Sequence, residues 1–241
     1  CGLLLELLTK QDEHAEEGET NISNAAGTCL ALVSRVAGDS VVTEVMPFVS
    51  QFINSNNWKD KEAATFAFCA ILDGPSSDAM TKLVTQAIPV MTQHVVETSG
   101  PIGTQTAQSE GQKLLKDTTV FTIGRIITYY PEQAIESLDQ IMNALSAAIQ
   151  DEARIASKAC WAIHNLGTSI EEMAQNENNG GEEEQTNALS KYMDPVLQAL
   201  LRTVEREDVT EANLTVNAWE AISALIAAAA RDVYPVLENY V

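Results

Sequence analysis

Two kinds of apolar segment alternate along the chain, and this alternation restricts the possible folds more than any other feature. One kind carries a proline among apolar residues: Val45-Met46-Pro47-Phe48-Val49, Ala87-Ile88-Pro89-Val90-Met91, Met193-Asp194-Pro195-Val196-Leu197 and Val233-Tyr234-Pro235-Val236-Leu237. A further copy, around Gln140-Ile141-Met142, lacks the proline. The other kind surrounds one bulky position with small residues: Gly27-Thr28-Cys29, Ala64-Thr65-Phe66-Ala67, Thr118-Thr119-Val120-Phe121, Ala159-Cys160-Trp161-Ala162 and Asn217-Ala218-Trp219. In both kinds the apolar residues recur every three or four positions, which is the helical period. Successive bulky positions (29, 66, 121, 161, 219) lie 37, 55, 40 and 58 residues apart, and each long spacing contains an insertion. A period near 40 with two helices per unit predicts an all-α HEAT-repeat solenoid: a right-handed superhelix of antiparallel helix pairs, the Pro-bearing A helices outside and the B helices inside.

On this reading residues 1–241 form a single continuous solenoid. Its repeats span 1–37 (partial), 40–72, 77–129, 133–173, 188–229 and 232–241 (partial). The A helices are expected at 2–9, 40–54, 77–97, 133–149, 188–205 and 232–241, and the B helices at 22–37, 58–72, 112–129, 152–173 and 211–229. Loops at 11–20, 98–111 and 176–187 interrupt the pattern; the first and third are acidic, the second rich in Gly, Ser, Thr and Gln. Neither end carries a polar capping repeat, so the expectation is a piece of a longer solenoid.

Charge narrows the function. Lys and Arg total 14 against 34 Asp and Glu, a formal net charge of −20. A field of that sign repels phosphate backbones and anionic lipid and attracts basic proteins, so direct nucleic-acid binding is disfavoured. No apolar run reaches the ~20 residues of a bilayer span, and no membrane insertion is expected. The four cysteines lack CxxC spacing, and three lie in apolar helical context, as buried thiols of a reducing compartment do. No motif of nucleophilic, metal or phosphate chemistry occurs. His14, His94 and His164 are isolated, His94 reading as a helix-surface residue, and the acidic pairs sit in solvated loops where carboxylates stay ordinary. The expectation is a protein without enzymatic activity, cofactor or metal, working through its surface.

Six motifs in register resemble the importin beta family: Lys10-Gln11-Asp12-Glu13 with its acidic run, Asn57-Trp58, Ile71-Leu72-Asp73-Gly74-Pro75, Asp117-Thr118, Thr122-Ile123-Gly124-Arg125-Ile126, and Ala156-Ser157 with Cys160-Trp161-Ala162. The resemblance covers nearly the whole chain apart from residues 98–111 and 174–188, and corresponds to the middle of the receptor, roughly its eighth repeat to the start of its thirteenth. It implies a nuclear import receptor, shuttling between cytoplasm and nucleus. Such a receptor wraps the basic helix of importin alpha or basic cargo on its inner surface and releases it on binding Ran-GTP. It also implies that Trp161, Asp117 and Phe121 contact the basic helix, and that Asp12, Glu13, Glu16, Glu17 and Glu19 form the acidic loop that touches that helix and Ran. Phe121 stands where the family pattern has Trp, and the acidic run is diluted. FG nucleoporins would bind mostly through repeats outside this piece.

The residues themselves point the same way. A concave array of inner helices with excess negative charge suits a basic helical or extended ligand, and Trp or Phe at the bulky position can stack on Arg or Lys. Phe66 and Trp219 read as interlayer core, Phe121 as either core or ligand contact, and Trp58 as a local packing anchor. A HEAT-repeat scaffold of a non-transport complex would share the period and the acidity but not the six motifs in register.

Overall fold

The computed structural model describes residues 1–11, 21–98, 109–178 and 185–240, and among these every regular element is helical. The helices are α1 (Gly2–Leu8), α2 (Ile22–Ala37), α3 (Ser40–Phe52), α4 (Trp58–Ala70), α5 (Ser77–Thr98), α6 (Glu110–Tyr129), α7 (Pro131–Glu136), α8 (Leu138–Ala148), α9 (Ala153–Asn178), α10 (Met193–Val204), α11 (Leu214–Ala227) and α12 (Tyr234–Leu237). Short 3₁₀ turns precede α10, α11 and α12.

The ends of these helices follow from local chemistry. Asn21 Oδ1 accepts from the Asn24 N–H at 2.8 Å to start α2, and Asn57 Oδ1 accepts from the Lys59 N–H at 3.1 Å to start α4. Ser109 and Gln112 form a reciprocal capping box at the head of α6. Gly38, at φ +56°, terminates α2 in a conformation that side chains rarely adopt. Tyr130 precedes Pro131 and so is pushed out of helical geometry, which separates α6 from α7. Its hydroxyl donates to the Leu72 carbonyl at 2.9 Å, fastening this corner to the preceding helix pair.

The fold is a HEAT-repeat α-solenoid of two layers. The B helices form a continuous row, α2, α4, α6, α9 and α11, with the proline-bearing helices α3, α5 and α10 and the pair α7/α8 against one side of it. Leu30, Phe68, Ile88, Ile123, Leu145 and Leu200 are among the fully buried side chains between the layers. Small residues in the B row are seats for neighbouring rings. A Cβ on Gly27 would lie 2.2 Å from the Phe66 ring, and one on Gly111 would lie 2.2 Å from the Trp58 indole. Phe66 therefore points its ring tip into α2 and Trp58 packs its indole against α6, both as packing residues.

Several expectations need correction. The A helix expected over 133–149 starts earlier, at Pro131, and is broken at Ser137 (φ −107°, ψ 19°) into α7 and α8. The B helix expected over 152–173 runs on to Asn178, and the one expected over 211–229 becomes α11 only at Leu214. There Ala212 (φ +49°) and Asn213 (φ +59°) make a left-handed turn, held by the Ser157 hydroxyl donating to the Ala212 carbonyl at 2.7 Å. His94 is buried rather than on the surface, and desolvation, followed by the Lys61 charge, holds its pKa below the usual imidazole value. Cys69 and Cys160 are buried as expected, but Cys29 is exposed because its side of α2 has no neighbour among the described residues. All four thiols are free. Burial raises the pKa of Cys69 and pushes that of Cys160 up to about 12, leaving both unreactive.

Candidate partner-binding face

The exposed side of the B row carries the candidate residues. Where α6 meets α9, the Phe121 and Trp161 rings stack at 5.3 Å between centroids, 20° from parallel. Trp161 has room because the next residue beneath it is Gly124, where a Cβ would lie 2.4 Å from the indole. Both rings are half-buried, with one flank spent on each other. Asp117, one helical turn before Phe121, is buried, and α9 supplies its partners: Lys158 Nζ hydrogen-bonds Oδ2, and Arg154 Nε lies 3.5 Å from Oδ1. The same Lys158 ammonium stands 5.7 Å from the centre of the Phe121 ring. The acid and the ring expected to receive a partner's cation are thus already engaged by cations of this chain.

Below this cluster lies a buried carboxyl that sequence reasoning did not single out. Glu62 on α4 accepts from Gln11 Nε2 at 2.7 Å and from the Thr118 hydroxyl at 2.8 Å. Desolvation, helped by nearby Asp117, raises its pKa to about 7 against the lowering effect of those two hydrogen bonds. Gln11 also donates to the Lys59 carbonyl at 2.8 Å, tying the root of the acidic segment to α4. The acidic residues assigned there, Asp12, Glu13, Glu16, Glu17 and Glu19, lie outside the described residues. Farther along the face, Asp73 bonds Arg35 at 2.8 Å and faces Arg125 at 3.5 Å. Desolvation would raise its pKa, but the Arg35 hydrogen bond and the Arg125 charge prevail and hold it below the usual carboxylate range.

The third feature is a groove of about 620 Å³ between α9 and α11, lined by His164, Glu171, Val216, Trp219 and Glu220 among others. The helices touch closely at one point, where a Cβ on Gly167 would lie 2.9 Å from the Ala224 backbone, and the groove opens beside it. Trp219, expected in the core, is 51% exposed. Its ring occupies the bulky position of α11, but here the neighbouring helix offers His164 and Thr168, with no glycine seat to take the ring in. Glu220 forms no ion pair among the described residues, and neither does Glu171, which accepts only from Gln175 at 3.0 Å.

Comparison with known proteins decides the family. The pattern described as importin subunit beta-1-like, TPR repeats, matches residues 140–241. Importin subunit beta-1 of Arabidopsis thaliana is 34% identical over 93% of this chain and 24% of its own length. A solved structure of Kap95p, yeast importin-beta, whose binding induces the switch loops of RanGDP to adopt the GTP-bound conformation, superposes with a TM-score of 0.79 at 27% identity, over 96% of this chain and 24% of that one. A Kap95:Nup1 complex gives 0.79 at 26% identity, over 98% and 25%. The chain belongs to the importin beta family. It spans about a quarter of the length of the importin beta relatives it matches. In this importin beta segment the Thr122-Ile123-Gly124-Arg125 motif has a structural basis: Gly124 seats Trp161, and Arg125 donates to the Cys69 carbonyl at 3.2 Å while facing Asp73. The importin beta motif residue Asp73 likewise joins three helix pairs, through Arg35 on α2 and Arg125 and Tyr129 on α6.

Proposed function

We propose that this chain is a segment of a nuclear import receptor that shuttles between cytoplasm and nucleus. The open side of its B row holds the basic helix of importin alpha or a basic cargo, and release is coupled to Ran-GTP. The observation that carries this reading is an acidic solenoid of the importin beta family with an aromatic stack, Phe121 on Trp161, on that side. Ran and nucleoporin are supported as partners by the relatives seen with RanGDP and Nup1. Asp117, Phe121 and Trp161 would line the path of the basic helix, with Asp12, Glu13, Glu16, Glu17 and Glu19 beside it. The net charge of −20 supplies long-range attraction that salt screens over ~8 Å at physiological ionic strength.

A titration of the chain with the basic helix of importin alpha at low and at physiological salt, then with Ran-GTP as competitor, tests the reading. Binding that weakens steeply with salt and yields to Ran-GTP is expected. No binding at either salt would remove the receptor reading in favour of a scaffold role.

A further inference from the structure

The rings of Phe121 and Trp219 both stand beside carboxylates on the B row, and they differ in what already fills the place. At the α6–α9 step, Lys158 hydrogen-bonds Asp117 and stands over Phe121, with Arg154 close by. At the α9–α11 step, Trp219 is half exposed beside Glu171 and Glu220, and no Lys or Arg lines the groove. A guanidinium or ammonium is attracted to an aromatic face and to carboxylates alike, most strongly where both are offered together. The groove also carries apolar surface, from Val216 and Ala227, that matches the aliphatic stem of a long cationic side chain.

We propose that the Trp219 groove is the cation-receiving subsite of this face, and that Lys158 acts as a built-in substitute ligand which closes the corresponding place at Phe121 and Trp161. This rests on the reading that the face binds a basic segment, and it names where the segment's Arg or Lys is held. A neutral aromatic side chain would gain the ring contact but leave Glu171 and Glu220 without a counter-charge, so charge complementarity favours the cation. The role of Lys158 follows from geometry. Its ammonium sits where an incoming cation would meet both Asp117 and the Phe121 ring, so an arriving Arg meets a like charge there. Removing that ammonium reopens the place.

The test is a titration of the chain with an arginine-rich helical peptide, with a neutral phenylalanine-rich peptide as control, for the wild type and for Trp219→Ala, Glu220→Gln, Trp161→Ala and Lys158→Met. Thermal unfolding of each variant separates binding from folding. Trp219→Ala is expected to weaken the basic peptide roughly five- to tenfold, the range of a partly desolvated cation–π contact. Its melting temperature should barely move, since the ring is half in solvent. Glu220→Gln should weaken it less, and Lys158→Met should strengthen it. Trp161→Ala should lower the melting temperature more than it lowers affinity. Unchanged affinity in Trp219→Ala, with wild-type binding intact, overturns the subsite and leaves the receptor reading standing. Weaker binding in Lys158→Met overturns the substitute-ligand role, and Glu220→Gln, which removes no packing, still tests the groove should the tryptophan variants misfold. If the wild type ignores the basic peptide, both readings fall together. Preferential capture of the neutral peptide through Trp219 overturns the choice of a cation.

Discussion

Glu62 shows how much one side chain in this row responds to its surroundings. Its carboxyl is buried between Gln11 and Thr118, with a pKa raised from 4.5 to about 7. An acid whose pKa is higher in the fold than in the unfolded chain binds its proton more tightly when folded. Stability therefore falls as pH rises from about 4.5 to about 7, and the penalty is fully present above that window. Glu62→Gln should flatten this dependence. It should also raise stability at pH 8 by on the order of 3 kcal/mol, at 1.36 kcal/mol per pKa unit between 4.5 and about 7, as read from urea denaturation at several pH values. An unchanged pH profile would mean that Glu62 stays ionised in the fold. Nothing in the sequence around Lys61-Glu62-Ala63 distinguishes this glutamate from a solvated one. Its burial depends on Gln11 and Thr118, which lie 51 and 56 residues away and meet it only once α4 and α6 are side by side.

Helix pairs meet through small residues that accept a neighbour's ring, and Gly124 is the seat under Trp161 on the candidate face. Gly124→Ala would place a methyl group 2.4 Å from the indole, so the ring must lift or α6 and α9 must part. A loss of about 1–3 kcal/mol is expected, the usual cost of overpacking, together with a shift in Trp161 emission in a variant whose other tryptophans are Phe. An unshifted spectrum and unchanged stability would show the seat to be loose. The alternation of Pro-bearing and small-residue segments made nearly every one of these helices legible, because amphipathic period and spacing are local properties. The break at Ser137 and the left-handed turn at Ala212 and Asn213 were not legible; the turn is held by the Ser157 hydroxyl, 55 residues away on another helix. For the same reason Trp219 read as interlayer core, and its exposure was not legible. Trp161 and Trp219 both occupy the bulky position of a B helix, but only Trp161 has a glycine opposite, and that pairing crosses from one helix to the next.

At the scale of the whole molecule, the substantial contacts among the described residues run between helices of the same or adjacent pairs. Stability in such a stack is a sum of unit and neighbour terms, so damage at one end need not spread. Leu200→Ala, which empties a fully buried position on α10, should cost about 2–5 kcal/mol. It should also separate the urea transitions of Trp219 and Trp58, each followed in a single-tryptophan variant. Coincident transitions would show one cooperative unit instead. The family was legible from six motifs in register; the filling of the Asp117 site by Lys158 was not, because position 158 gains its meaning only from the helix it faces. Nearest-neighbour packing has a mechanical side as well. A rod whose joints answer only to the joints beside them bends by sharing a small rotation among all of them. Seated rings such as Trp161 on Gly124 and Phe66 on Gly27, and the close approach of Gly167 to the Ala224 backbone, fix the spacing at its joints. An object pressed against this row would find the molecule behaving as a leaf spring, its bending shared among all the joints.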